Sequence, residues 1–193
     1  MAEFSVVNQD AGDFMARSVA EEKQTARFNQ EFRDAQSPVF QTITNKVCDC
    51  GYIGNSWTTR NEADVMIEHL RLMPSHDLLD IGAGAGWPGL YLAQQTGCAV
   101  TLLDLPETGL RQAQARAETD GMTSQLSTIQ GDAADMPLPS ESFTAISHSD
   151  VLCCLQDKLT VLQECRRVIN PDGRMCFTVI RLADRLKGTA MER

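Results

Sequence analysis

Apolar positions along the chain fall into two rhythms that alternate from about residue 59 onward. Ala63, Met66, Ile67, Leu70 and Met73 recur every three or four residues, one face of a helix. Thr59 stands before this face with Glu62 three positions on, the spacing of a capping box, and Pro74 closes the run. Short apolar runs then mark five strands at 78–81, 99–103, 125–130, 143–147 and 175–180. Helical stretches at 89–96, 107–119 and 157–169 lie between them, and Asn170-Pro-Asp-Gly173 reads as a turn before the fifth strand. Strands separated by helices of this length predict an α/β fold with a doubly wound, mostly parallel sheet, because parallel neighbours need a crossover. A ligand then belongs beyond the carboxyl ends of the strands.

The first 36 residues are polar, with Phe14, Val19, Phe28 and Phe32 on a weak helical period, and predict a loosely docked helical arm. Ser37-Pro38 supplies an N-cap and a proline at the first helical position, and Gly51 ends a short helix after Cys50. The domain expectation is a helical arm or lid over 1–56 and a ligand-binding domain over 57–193.

Composition narrows the class. A chain of 193 residues with 42% hydrophobic and 22% charged residues is a globular domain's worth. It begins with early acids rather than a signal peptide and holds no apolar run of about 20 residues, so a cytoplasmic protein without membrane contact is expected. The net charge of −9 repels phosphate backbones, and Arg166-Arg167 is the densest basic spot, which argues against nucleic acid and for a small-molecule or protein partner. Seven cysteines, an odd number, predict reduced thiols. Neither Cys48-x-Cys50 nor Cys153-Cys154 has the spacing of a metal pair, and the second two are expected to fill apolar helix positions.

The chemistry concentrates in 78–89, where a strand runs through Asp80 into Gly82, Gly84 and Gly86 before a helix opens at Pro88. Glycines there let a ligand approach the backbone, and the helix start offers free N–H groups. Gly84-x-Gly86-x-x-Gly89 also satisfies a dinucleotide-binding spacing, but an acid two residues before the first glycine suits a cationic amino group better than a pyrophosphate. Here the chain resembles the class I, Rossmann-like S-adenosylmethionine-dependent methyltransferases, of the small-molecule type 11/25 kind, from about Trp57 to Ile180. The resemblance implies S-adenosylmethionine as cofactor, held by Asp80, Gly82, Ala83, Gly84 and Gly86. It further implies that Asp104, with Leu105 beside it, binds the ribose hydroxyls, that Asp132 meets the adenine amino group, and that the Ala133 N–H meets the ring.

His148, just after the fourth strand, faces the expected cofactor pocket, is counted among the cofactor-binding residues and is the candidate base, against a reading in which it only lines or supports the pocket. Asp150 is a weaker candidate, with an exposed cap as its plain alternative. Tyr52 and Trp57 are expected to pack the arm, with cation–π shielding of the cofactor's sulfonium as the alternative, and Trp87 borders either the cofactor or the helix start. The family's sheet has seven strands, and the residues after 180 read as one more helix, so the sheet looks cut short. Its fifth strand then becomes an exposed edge through which a homodimer could form. The function expected is methyl transfer to a small-molecule acceptor, with a cofactor-binding partner module and a nicotinamide-dependent oxidoreductase as the alternatives.

Overall fold

The computed structural model describes residues 19–52, 56–155 and 157–180. Three helices come first: α1 (Val19–Asp34), α2 (Pro38–Cys48) and α3 (Arg60–Leu70). The alternating part follows as β1 (Asp77–Ile81), α4 (Gly89–Thr96), β2 (Ala99–Asp104), α5 (Glu107–Thr119), β3 (Leu126–Gln130), β4 (Phe143–Ser149), α6 (Lys158–Val168) and β5 (Ile169–Thr178). Phe14 and the helix expected after residue 180 lie outside the described residues.

All five strands pair in parallel, in the order β3-β2-β1-β4-β5, the Rossmann-like arrangement expected. The chain starts at the centre with β1, winds outward to β3, then crosses back to β4. Above the β1/β4 boundary two successive connections leave in opposite directions, which opens a crevice at the carboxyl ends. On one face Leu78, Val100, Leu102 and Ala145 pack with Ala63, Met66 and Leu70 of α3 and with α4 and α5. On the other, Leu79, Ile81, Leu103 and Ile146 pack with Val161, Cys165 and Val168 of α6. The central strands are buried on both faces, as a parallel sheet requires.

The capping box at Thr59 is formed: its side chain accepts from the Glu62 N–H, and Glu62 Oε2 accepts from the Thr59 N–H at 2.7 Å. The helix it starts ends at Arg71 in the left-handed region (φ 53°), two residues before Met73, which is exposed rather than part of the apolar face. Two other expectations are corrected. The fifth strand begins at Ile169, not 175, because Asn170–Gly173 is absorbed into a bulge. Pairing jumps from Phe143↔Ile169 to Ala145↔Arg174, so three extra residues are accommodated in β5, which has no second strand neighbour among the described residues. Cys153 and Cys154 are exposed in a turn after β4 and fill no helix position. The turn closes on its own backbone there, with the Cys153 thiol 2.8 Å from the Asp150 carbonyl. All seven cysteines are free, and no group of three metal-ligating side chains occurs among the described residues. No described helix is long and apolar enough to cross a membrane.

Candidate cofactor site

The loop after β1 turns through Gly82 (φ 62°) and Gly84 (φ 52°), left-handed conformations in which a side chain would be strained. It is tied to β2 by Gly82 N–H and Ala83 N–H, which both donate to the Leu103 carbonyl. Asp104 completes the tie. Its Oδ2 accepts from the Gly84 N–H at 2.7 Å and its Oδ1 from the Leu105 N–H at 2.8 Å. The carboxylate is half-buried at the mouth of the crevice, and an ionised carboxylate has about four acceptor positions, of which these two bonds use two. Burial, outweighing those two bonds, raises its pKa to about 6.

Asp80 is placed differently. It is fully buried, with Oδ1 accepting from Ser147 Oγ of β4 at 2.6 Å and Oδ2 from the Gly89 N–H at 3.2 Å. A carboxylate at the first turn of α4 answers the unsatisfied N–H groups there, where Pro88 supplies no side-chain cap. Both oxygens are therefore engaged by the protein, and Asp80 acts on the site by fixing β1, β4 and the start of α4 against one another. Burial raises its pKa to about 7, despite the lowering by Ser147 and Gly89.

That value has a measurable consequence. An acid whose folded pKa lies above the ordinary 3.8 binds its proton more tightly when folded, so its contribution to stability is full below about pH 4 and is lost as pH rises to about 7. The loss amounts to about 4 kcal/mol for Asp80. His148, held below its ordinary value, works in the opposite sense between about pH 4 and 6.5. The difference in urea-unfolding free energy between wild type and Asp80→Asn, followed from pH 4 to 8, isolates the Asp80 part. A difference independent of pH would contradict it.

At the ends of β2 and β3, Gly131 N–H donates to the Asp104 carbonyl, and Gln130 Nε2 to the Leu105 carbonyl at 2.9 Å, which brings the two strands together. Asp132 is half-buried and its Oδ1 accepts from the Ala134 N–H at 2.8 Å, while Ala133 is buried beside it. Glu164 and Arg167 of α6 hold this loop from behind: Glu164 accepts from the Met136 N–H, and Arg167 donates to the carbonyls of Met136 and Leu138. Arg167 is thus spent inward and offers no basic patch.

His148 faces the opposite side of the sheet from Asp80, level with Ile81, and its ring stacks on Phe177 with centroids 4.6 Å apart. It is 1% exposed and neither ring nitrogen has a partner. Burial lowers its pKa to about 4, so the ring is neutral at physiological pH. Asp150 lies just beyond (φ 58°) and accepts from the Trp57 N–H at 2.9 Å and from Ser56 Oγ. It anchors the segment before α3, with the hydroxyls of Ser56, Thr58, Ser149 and Thr178 joined in one network beside it. Trp87 is buried between Tyr52 and Tyr91 and donates Nε1–H to the Thr58 carbonyl, which is packing at the helix start. Tyr52 packs as expected, whereas the Trp57 side chain is exposed.

Three residues at this site have no motif to reveal them. Gly109 in the first turn of α5 lies against the backbone of Gly84, where a Cβ would come within 2.8 Å of its carbonyl group. Phe32 and Val151 lie over the glycine loop. The signal for Gly109 was present, a glycine inside a helix of good helix formers. Phe32 carries only the weak helical period of the first 36 residues, and nothing local marks Val151.

The chain resembles known proteins in the same region. The methyltransferase domain family matches residues 79–177, just over half of the chain, and the chain belongs to that family. Among curated relatives, a methyltransferase of Streptomyces halstedii is 30% identical over 60% of this chain and 41% of its own length. A sterol 24-C-methyltransferase of Gibberella zeae is 32% identical over 56% and 28%. A glycine/sarcosine/dimethylglycine N-methyltransferase of Actinopolyspora halophila is 30% identical over 55% and 19%. The chain therefore matches well under half the length of these relatives. The crystal structure of a [4+2]-cyclase, SpnF, superimposes with a TM-score of 0.67 at 24% identity, covering 82% of this chain and 62% of that one. A methyltransferase of Thiobacillus denitrificans solved with S-adenosyl-L-homocysteine gives 0.57 at 24%, over 70% and 54%. The family is S-adenosylmethionine-dependent, so the cofactor class follows from membership.

Proposed function

We propose that this chain binds S-adenosylmethionine across the carboxyl ends of β1 and β2 and transfers its methyl group to a small organic acceptor. The observation that carries the reading is the Asp104–Gly84 bond, which ties a half-buried acid to a left-handed glycine turn across one crevice. The curated relatives' names, which span sterol, glycine and other small acceptors, support the acceptor class. When bound, the cofactor supplies an activated methyl group whose leaving sulfur departs neutral.

The protein's own part is alignment, since bringing two reactants to about 3–3.5 Å in line accounts for most of what such a reaction needs. Gly82, Ala83, Gly84 and Gly86 form the floor, and Asp104 accepts from the ribose hydroxyls with Leu105 beside it. Asp132 and the Ala133 N–H meet the adenine, and Asp80 keeps the floor rigid. His148, neutral, buried under Phe177 and with two unpaired nitrogens, orients an acceptor O–H or N–H by accepting its hydrogen bond once the residues over the crevice move aside; a ring held at about 4 is a hydrogen-bond acceptor at pH 7 more than a strong base.

Isothermal titration with S-adenosylmethionine and S-adenosylhomocysteine, followed by a turnover screen over sterols, small amines and hydroxylated small molecules, tests the reading. Tight binding with turnover is expected. Binding without turnover on any acceptor would make the chain a cofactor-holding module instead. His148→Phe, which keeps the stack on Phe177, should raise KM for the acceptor several-fold and leave cofactor affinity unchanged.

A further inference from the structure

Helix α1 crosses the carboxyl end of the sheet directly over the glycine loop. Gln24 Nε2 donates to the Cys154 carbonyl in the turn after β4 at 2.9 Å, on one side of the crevice. On the other side Asn29 Oδ1 accepts from the Thr108 N–H, and Gln112 Nε2 donates to the Phe32 carbonyl at 2.9 Å, both on α5. Between these tethers the Phe32 ring lies on Gly84, so close that a Cβ there would meet it at 2.9 Å. Val151, from the same turn that receives Gln24, lies still closer over Gly82. The room that a missing Cβ leaves for a ligand is thus taken by two of the chain's own apolar side chains.

We propose that α1 is a plug: Phe32 and Val151 occupy the cofactor's seat on Gly82 and Gly84, and cofactor binding requires α1 and the 150–154 turn to move off together. The inference rests on the reading of this crevice as the cofactor site. The attachment of α1 suits a detachable element. Phe32 is the one buried residue among its described side chains, Phe28 is half-buried, and the other described residues from Glu22 to Asp34, polar except Ala26, are exposed or half-exposed. Few buried apolar contacts place a segment at the low-stability end of a structure, where opening is local and does not require global unfolding. The Gln24–Cys154 bond links the two halves of the plug, so that lifting α1 releases the turn carrying Val151. Apparent affinity is then the intrinsic affinity reduced by the fraction of molecules already open.

The test uses the full chain and S-adenosylhomocysteine as probe. Phe32→Ala, and separately the Gln24→Ala/Asn29→Ala double variant, should bind the probe about tenfold more tightly than wild type by calorimetry, because the closed state no longer competes. Trypsin cleavage after Arg27 and Arg33, read by mass spectrometry on wild type, should speed up when the probe is added. The double variant carries the test by itself if Phe32→Ala fails to fold. Weaker or unchanged binding in the variants, or α1 becoming protected when the probe binds, would overturn the plug while leaving the cofactor site standing. No binding by wild type or any variant would remove the cofactor reading, and the plug with it.

Discussion

Replacing Asp104 by Ala is expected to weaken S-adenosylhomocysteine binding roughly 10- to 100-fold, the effect of losing hydrogen bonds to a charged acceptor worth about 1.5–3 kcal/mol. Two losses combine. The ligand hydroxyls lose their acceptor, and the Gly84 and Leu105 N–H groups lose theirs, so the floor loosens as well as the wall. The pH dependence separates this acid from a merely structural one. Below about pH 6 Asp104 is protonated and presents a donor where hydroxyl donors need an acceptor, so wild-type affinity should rise as pH increases through about 6. Asp104→Ala should lose that part of the rise. Calorimetry at several pH values on both proteins measures it, and parallel curves would count against Asp104 as the ribose acceptor.

Substituting Gly109 by Ala should destabilise the fold by about 2 kcal/mol and weaken cofactor binding together. Helix propensity alone would favour alanine by about 1 kcal/mol. The methyl group, however, would lie 2.8 Å from the carbonyl carbon and oxygen of Gly84 and 3.0 Å from its Cα, and a backbone held by Asp104 has nowhere to go. Forcing α5 away costs about 3 kcal/mol, at the upper end for overpacking, and the net remains unfavourable. Urea midpoints and titration with S-adenosylhomocysteine check the two halves. A stabilised variant would mean that α5 can retreat from the loop freely.

The elements that the sequence marked well are those whose signal is local. Thr59 and Glu62 meet within one turn, so their box could be read from spacing and forms as expected. The β1 glycines are marked because their conformations exclude other residues. Elsewhere a local signal existed and tertiary context prevailed. Asn170–Gly173 has the composition of a turn, yet Ile169 already pairs with Phe143, and the edge of the sheet takes up the surplus as a bulge. Cys153 and Cys154 look apolar in sequence, but the chain after β4 turns through Asp150 in a left-handed conformation and presents them outward.

By itself, then, the sequence determined the order of strands and helices, the doubly wound parallel class, and the acid–glycine series that marks a cofactor crevice. These follow from periodicity, capping and steric exclusion, which act over a few residues. Only the tertiary structure decided that Asp80 serves Ser147 and Gly89 while Asp104 keeps a face toward the crevice, since which carboxylate is satisfied depends on partners 67 and 9 residues away for the first and 20 and 1 for the second. It alone decided that His148 is buried without a partner, that α5 rests on Gly84, and that Phe32 of α1 covers the same glycine. Contacts of that kind are set by how whole elements pack, and no spacing along the chain records them.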